Sequence, residues 1–434
     1  MTKISGIITQ SRISGTVIQN KIQGNITISS QSWQWYGYEL DESNSSPDVT
    51  RIASDMKVHA KLPVHALMKG CLLNDDGIVN YYLKADDWTK KVDGTSSNLD
   101  GTDGQVMIEI PDFYHKIDNP SSGIYQHKIS LKAWAGFTKV SKFYVGAYQA
   151  ALNRNILKLS SIKNLTTTYR GGQNEASWDA LDKTLLGKPA TNISLINFRT
   201  YARNRGSNKW NVLPWRHEML LYDLFIIEFA TLNCQKSVNN DLTVDGYRQG
   251  GLGIGVTEFY DWGAYNSYNP IIPCGQSDSL QNKSGEISYL VPGSGVIVKI
   301  PRFRGIENPF GHIWEWHDGA SIYHQTTNEG GKSKFYTCDN PANFADGTEI
   351  NYDYRADAPR SSGYLSSMTQ DEKGIMIPKG ILGSTATYFC DYHSAPGGSG
   401  SWVALLRGGY AYAGATAGFA YSNTDYAATN AYTD

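Results

Sequence analysis

The 434-residue chain has five cysteines, Cys71, Cys234, Cys274, Cys338 and Cys390, with no C-x-x-C spacing among them and none after Cys390. An odd, scattered set indicates neither a disulfide framework nor a zinc site, so buried free thiols are expected. Charge is also scarce. Charged residues make up 18%, and 39 Lys and Arg against 41 Asp and Glu leave a net charge of -2, which provides no electrostatic footprint for nucleic acid or an anionic membrane. No apolar run approaches the roughly 20 residues of a membrane span, so no membrane insertion is expected. The start, MTKISG, lacks the basic and apolar regions of a cleaved signal.

What is abundant is aromatic and small. Aromatics reach 12%, with 28 Tyr and 11 Trp, beside 43 Gly. A chain poor in Lys and Glu and rich in Tyr, Trp, Gly, Ser and Asn has the composition of an exported or particle-surface β-rich protein. Its length predicts two or three domains. The bias is strongest from Ser401 to Asp434, where Arg407 is the one basic residue and Glu is absent. Gly408, Gly409, Gly414 and Gly418 interrupt any helix, so strands and tight loops are predicted. Tyr gives large contact area with little rotamer entropy to lose, and Ser, Gly and Asn adapt their hydrogen bonds, as in a recognition surface. A plain edge hairpin would also fit this composition.

In chain order, residues 1–30 repeat every nine residues, from Ile4, Ile13 and Ile22, each unit having Gly two places after its leading Ile. Units this short cannot bury an apolar face alone, which points to stacking on copies, as in an attachment or oligomerisation stalk, or to a flexible arm. Residues 31–50 read as a linker closing on Asn, Ser, Pro and Asp. Residues 51–135 read as a small β-rich domain, with β-type runs at Lys57–Ala60, Gly77–Leu83 and Val106–Ile110 between Asp-Gly turns. Asp75, Asp76, Asp100 and Asp103 lack the alternation and closing Glu of an EF-hand and read as turn residues. Residues 136–434 change to α+β, with a strand near Phe143 and helices at Ile193–Asn204 and Trp215–Thr231. His217 and Glu218 read as a solvated first turn. The QGGLGIG run ending at Gly255 reads as loop rather than as a dinucleotide-binding turn.

Between Pro301 and Gly319 the chain reads PRFRGIENPFGHIWEWHDG. Alternation puts Trp314 and Trp316 on one strand face and Glu315 on the other, where Arg304 and Arg407 are candidate partners. His312, Glu315 and His317 are conceivable metal ligands, but strand geometry sends His312 and Glu315 to opposite faces, favouring core and salt-bridge roles. The Phe310–Trp316 run resembles the G-N-x-W-E-W core strand, and Leu406–Tyr410 resembles the R-G-G-S-W segment, of the C-type-lectin-like fold shared by formylglycine-generating enzymes and the variable proteins of diversity-generating retroelements. His312 stands where Asn is usual, and Tyr410 where Ser is usual. The RGIENPFG, YYLKADDW and DGTDGQVMIEIP wording is similar to phage tail and receptor-binding proteins.

The resemblance implies an α+β chain whose C-type-lectin-like carboxy-terminal domain follows a small β-rich domain and an amino-terminal β-repeat segment. The oxidase branch needs carboxy-terminal Cys residues, and the chain has none there, so no enzyme activity, catalytic residue or cofactor is expected. Calcium-lectin activity would need E-P-N or Q-P-D followed by W-N-D; Glu307-Asn308-Pro309 has the letters in another order. In the retroelement branch the carboxy-terminal segment is rewritten codon by codon. The implied ligand-facing positions are Tyr410, Tyr412, Thr416, Phe419, Tyr421, Asn423, Thr424, Asp425, Tyr426 and Tyr432. The implied role is a phage receptor-binding or tail-associated adhesin on the virion, with a host cell-surface receptor, protein or glycan, as ligand. A virion tail or baseplate protein would bind through the amino terminus, and a homo-oligomer, a trimer by preference, is expected. A bacterial surface adhesin of the same fold and a formylglycine-generating-type oxidase are the alternatives.

Overall fold

The helix Trp215–Phe229 explains most of the architecture. Thirteen of its fifteen residues are buried, around its whole circumference and not along one stripe. A helix buried on every side has to be enclosed, and three sheets do this. The computed structural model describes residues 34–395 and 400–434; the nine-residue repeats lie outside the described residues. One five-stranded sheet runs in the order Thr50–Ala53, Tyr36–Asp41, Ile124–Ser130, Phe113–Ser121, Thr138–Val140. A second runs Phe143–Gly146, Gln105–Ile110, Lys69–Leu73, Val79–Lys84, Asp87–Lys91. The third has seven strands: Asp353–Ala358, Ser333–Thr337, Glu315–His324, Ser401–Gly408, Gly418–Asn423, Tyr392–Ser394 and Gly363–Tyr364. The pairing of Tyr392–Ser394 with Gly418–Asn423 is parallel.

One hydrophobic core joins Tyr36, Tyr38 and Phe113 of the first sheet, Val106 and Ile108 of the second, Ile322, Phe335 and Leu405 of the third, and the helix. The fold is therefore β-rich α+β, but the domain scheme differs from expectation. Residues 34–434 form one compact unit, with no boundary near residue 135. The expected linker contains the strand Tyr36–Asp41, whose Tyr36 and Tyr38 are fully buried, because alternation at Tyr36, Tyr38 and Leu40 supplies an apolar face that the helix covers. Lys57–Lys61 is a short helix, not a strand.

The shorter helix, Leu195–Arg203, starts two residues later than expected, because the Ser194 side chain caps it by accepting a hydrogen bond from the Asn197 amide. Glu218 is not in a solvated turn: it is 5% exposed. The Asp residues of the early turns serve as turn acceptors or ion-pair partners. Asp76 accepts from the Ile78 amide, Asp100 from the Thr102 amide and hydroxyl, and Asp103 from the Tyr81 hydroxyl, while Asp75 pairs with Lys158 and Arg205. No helix among the described residues is long and apolar enough to cross a membrane.

Candidate functional site

The two motifs that carry the family resemblance lie side by side. Glu315 and Trp316 are in antiparallel register with Arg407 and Leu406. Past this pairing the chain leaves the sheet at Gly408 and Gly409, with φ of 83° and 82°. A Cβ on Gly409 would lie 2.6 Å from that of Ala417, so glycine is required there for both backbone and space. The loop then runs through a single 3-10 turn at Gly414–Thr416 and returns as the strand Gly418–Asn423.

This loop is held mainly by main-chain hydrogen bonds. Gly311 N donates to Gly408 O at 3.1 Å, Ala411 N to His312 O at 3.1 Å, Phe259 N to Ala411 O at 3.0 Å and Gly414 N to Thr257 O at 2.6 Å. The final segment is pinned in the same way, by Ala404 N to Tyr426 O at 2.8 Å and Asn192 N to Tyr432 O at 2.5 Å. None of these bonds depends on the identity of a side chain.

The ten expected ligand-facing residues divide into two groups. Tyr412 is 49% exposed, and Tyr410, Thr416, Asp425, Tyr426 and Tyr432 are half-buried. Phe419, Tyr421, Asn423 and Thr424 are buried, which corrects the expectation for those four. Phe419 packs into a ring cluster with Tyr222, Phe225, Phe303 and Phe310 at centroid distances of 5.8, 5.4, 6.0 and 5.9 Å. The Tyr421 hydroxyl lies among Asn423 and Trp314, and burial raises its pKa. Thr424 donates to Ser394 O through its amide at 3.0 Å and its hydroxyl at 3.2 Å. Asp425 accepts from the Ser394 hydroxyl, and burial pushes its carboxyl up to about 6. Phe419, Tyr421 and Asn423 are buried because Gly418–Asn423 is an interior strand of the seven-stranded sheet, covered on both faces.

The accessible residues join others, of which the sequence reading had singled out Trp314 alone. Rings follow one another from Trp262 to Tyr410 at 6.0 Å, Trp314 at 4.8 Å, Tyr426 at 5.6 Å and Tyr432 at 4.5 Å. Beside them Tyr412 meets Tyr260, which is 70% exposed, edge-on at 5.7 Å, and Tyr268 lies against Trp262. The signal was present in the sequence, since five of the eleven residues from Glu258 to Tyr268 are aromatic. The result is an aromatic surface with its rings fixed by neighbouring rings and its polar rim supplied by Tyr hydroxyls and Asp425.

Of the other candidate ligands, His312 and Glu315 are used internally, and His317 is fully buried. The His312 Nε2 accepts from the Ile271 and Ile272 amides at 3.1 Å, so Nδ1 carries the proton and donates to Gln149 Oε1 at 2.8 Å. Gln149 Nε2 in turn donates to Glu315 at 2.8 Å. Burial keeps the His312 pKa low, at about 3. Neither expected arginine pairs with Glu315: Arg304 forms a two-pronged pair with Glu228, and Arg407 donates to Phe419 O with its guanidinium 4.6 Å from the Trp215 ring.

Among the described residues the His, Cys, Asp and Glu group with converging ligand atoms is instead His115, His127 and Asp223. Asp223 lies 2.9 Å from His115 and 2.8 Å from both His127 and the Tyr38 hydroxyl, separations of hydrogen-bonded partners around a buried carboxylate. Burial alone would raise the Asp223 pKa, but His127 and His115 outweigh it and hold the carboxyl well below its usual range. All five cysteines are buried and unbridged. Compared with known proteins, the chain matches no family model and no curated protein.

Proposed function

We propose that the chain is a phage receptor-binding or tail-associated adhesin with a C-type-lectin-like fold, which binds a host cell-surface receptor through the aromatic surface around Tyr410 and Tyr412. One observation carries the reading. The loop from Gly408 to Ala417 keeps its path through main-chain hydrogen bonds to residues 257–259 and 310–312, while the Tyr410 and Tyr412 side chains project from it. Such a loop tolerates side-chain replacement, as a diversifiable binding face requires, and fixed Tyr rings supply contact area with little entropy left to lose. The neighbouring register of Glu315 with Arg407 supports the lectin-like assignment. The diversifiable set is then narrower than the composition suggested, excluding Phe419, Tyr421, Asn423 and Thr424. Attachment to the tail or baseplate and assembly as a homo-oligomer belong to residues 1–30 in this reading.

The test is a triple variant, Tyr260→Ala, Tyr410→Ala and Tyr412→Ala, in the full chain. Attachment to host cells should be lost while the unfolding midpoint stays close to that of the parent. Retained attachment would exclude this surface as the receptor site.

A further inference from the structure

Three acids are buried along the enclosed helix, and two of them are matched. Glu228 receives two hydrogen bonds from Arg304 at 2.7 and 2.8 Å, and Asp223 is matched by His115, His127 and Tyr38. The third, Glu218, accepts no hydrogen bond from any described protein group, although it is 5% exposed. It borders a cavity of about 220 Å³. On the same measure a single water needs only ~10–15 Å³.

The uncommitted polar groups of the lining are mostly acceptors, with the Trp314 Nε1 a buried donor without a hydrogen-bond partner. The acceptors are Glu218, Glu315, whose one hydrogen bond comes from Gln149, and the Asn308 Oδ1, which is buried without a partner. A third lining carboxylate, Glu307, is already satisfied by the Gly275 and Ser277 amides and the Ser277 hydroxyl. The one basic residue of the lining, Arg205, is committed to Leu159 O, the Ser160 hydroxyl and Asp75. Arg407, whose charge acts on Glu218, stands outside the lining; its Nη2 donates to Phe419 O and its guanidinium lies over the Trp215 ring, while its Nε and Nη1 are buried without a hydrogen-bond partner among the described residues. The walls are Phe198, Trp210, Trp314 and Trp316. Uncommitted acceptors between indole faces complement a ligand that brings N–H donors, positive charge and an apolar body.

We propose that this cavity is a binding site for a small organic cation, an ammonium whose N–H groups reach Glu218 and Glu315 while its hydrocarbon part lies against the indole walls. The site shares the Trp314 ring with the carboxy-terminal aromatic surface but does not depend on what that surface binds. Burial pushes the Glu218 carboxyl up to about 8 and that of Glu315 to about 7. An ammonium beside them favours the ionised forms, so binding at pH 7 should release protons.

The test is calorimetric titration of the full chain at pH 7 with benzylammonium, with benzyl alcohol as the neutral probe of similar shape and benzoate as the anionic one. Repeating it in phosphate and in MOPS, a bulky sulfonate zwitterion, which differ in ionisation enthalpy, counts the protons released. Benzylammonium should bind at least tenfold more tightly than benzyl alcohol, with proton release, and benzoate should not bind. Glu218→Gln should weaken benzylammonium at least tenfold. Ala202→Phe, which fills the cavity from the helix Leu195–Arg203, should abolish binding. Equal affinity for benzylammonium and benzyl alcohol would overturn the proposal, as would absence of binding at millimolar concentration. So would benzylammonium binding that neither variant changes. The comparison of the three probes on the parent protein decides the matter even if a variant fails to fold.

Discussion

Phe419→Ala and Tyr412→Ala, seven positions apart in one segment, should have opposite consequences. Phe419 is 1% exposed and has four aromatic rings within 6.0 Å. Its truncation removes the buried ring and leaves a void, which for Phe→Ala costs about 3–5 kcal/mol. The upper part of that range is expected, because Phe419 also borders the existing cavity, so truncation enlarges a space that its neighbours have not closed. Tyr412 stands half outside the protein against Tyr260, and its removal should stay within about 0.5 kcal/mol. Urea unfolding followed by tryptophan fluorescence measures both, and host-cell attachment measured alongside separates folding from binding. A Phe419→Ala variant as stable as its parent would refute the assignment of this strand to the core. A Tyr412→Ala variant as damaged as Phe419→Ala would refute the account of a loop held by its main chain.

Arg304→Leu leaves Glu228 buried and unmatched and should cost about 3–5 kcal/mol, whereas adding Glu228→Leu should recover most of the loss; failure of the second change to recover stability would refute the pairing. Acidification should destabilise the fold below pH 6.5. Burial lowers His59, His65, His217 and His393 to about 4, and His312 and His317 to about 3, so the unfolded chain takes up protons that the folded one refuses. Each such imidazole contributes up to about 1.4 kcal/mol per pH unit between its unfolded and folded values, and urea midpoints that do not fall from pH 7 to pH 5 would contradict this. Glu218 has the opposite sign. Its folded carboxyl sits at about 8, above the unfolded value, so its contribution is lost as pH rises through the interval between them. Glu218→Gln should therefore help stability more at pH 8 than at pH 5, and an equal effect at both would argue against a desolvated carboxyl.

How much of this was legible in the sequence depended on the length of each signal. The helix Trp215–Phe229 was legible because its apolar density is sustained over four turns, and Leu195–Arg203 because its apolar residues recur at helical spacing. The Asp-Gly turns were legible because positive φ selects Gly, as at Gly77 and Gly104. Lys57–Lys61 was not, since five residues are too few for periodicity to separate helix from strand. The run Gly418–Asn423 was misleading for a different reason. Gly418, Ala420 and Ser422 alternate with Phe419, Tyr421 and Asn423, and small residues beside large polar aromatics can mean an adaptable surface or a tightly packed interior. Here they mean the interior: a Cβ on Gly418 would fall 2.0 Å from an Asp391 carboxylate oxygen, and the same carboxylate accepts from the Ala420 amide. The carboxy-terminal half of the aromatic surface was read from composition. Its other half, Tyr260 and Tyr268 beside the buried Trp262, required the tertiary pairing of Phe259 with Ala411 to be recognised.

That pairing sets a limit on how a binding face of this kind could vary. A position can be exchanged freely only if its main chain is held by something other than its own side chain, and if its side chain leaves nothing buried unsatisfied when replaced. Tyr412 meets both conditions, and Tyr410 meets the first while touching Trp262 and Trp314. Tyr421 fails the second, since its ring is buried and its hydroxyl lies among Asn423 and Trp314. Replacing it with Ser or Asp would place a polar group in the sheet interior at a cost of about 1–3 kcal/mol beyond the lost packing. Two such exchanges would consume much of the roughly 5–15 kcal/mol that holds a folded domain together. Diversification compatible with folding is therefore confined to the loop after Gly409 and to the half-buried Tyr426 and Tyr432. A library randomised at Tyr410, Tyr412 and Thr416 should yield mostly folded protein, and one randomised at Phe419, Tyr421 and Asn423 should yield almost none. Comparable soluble yields from the two libraries would show that the strand, too, can be rewritten.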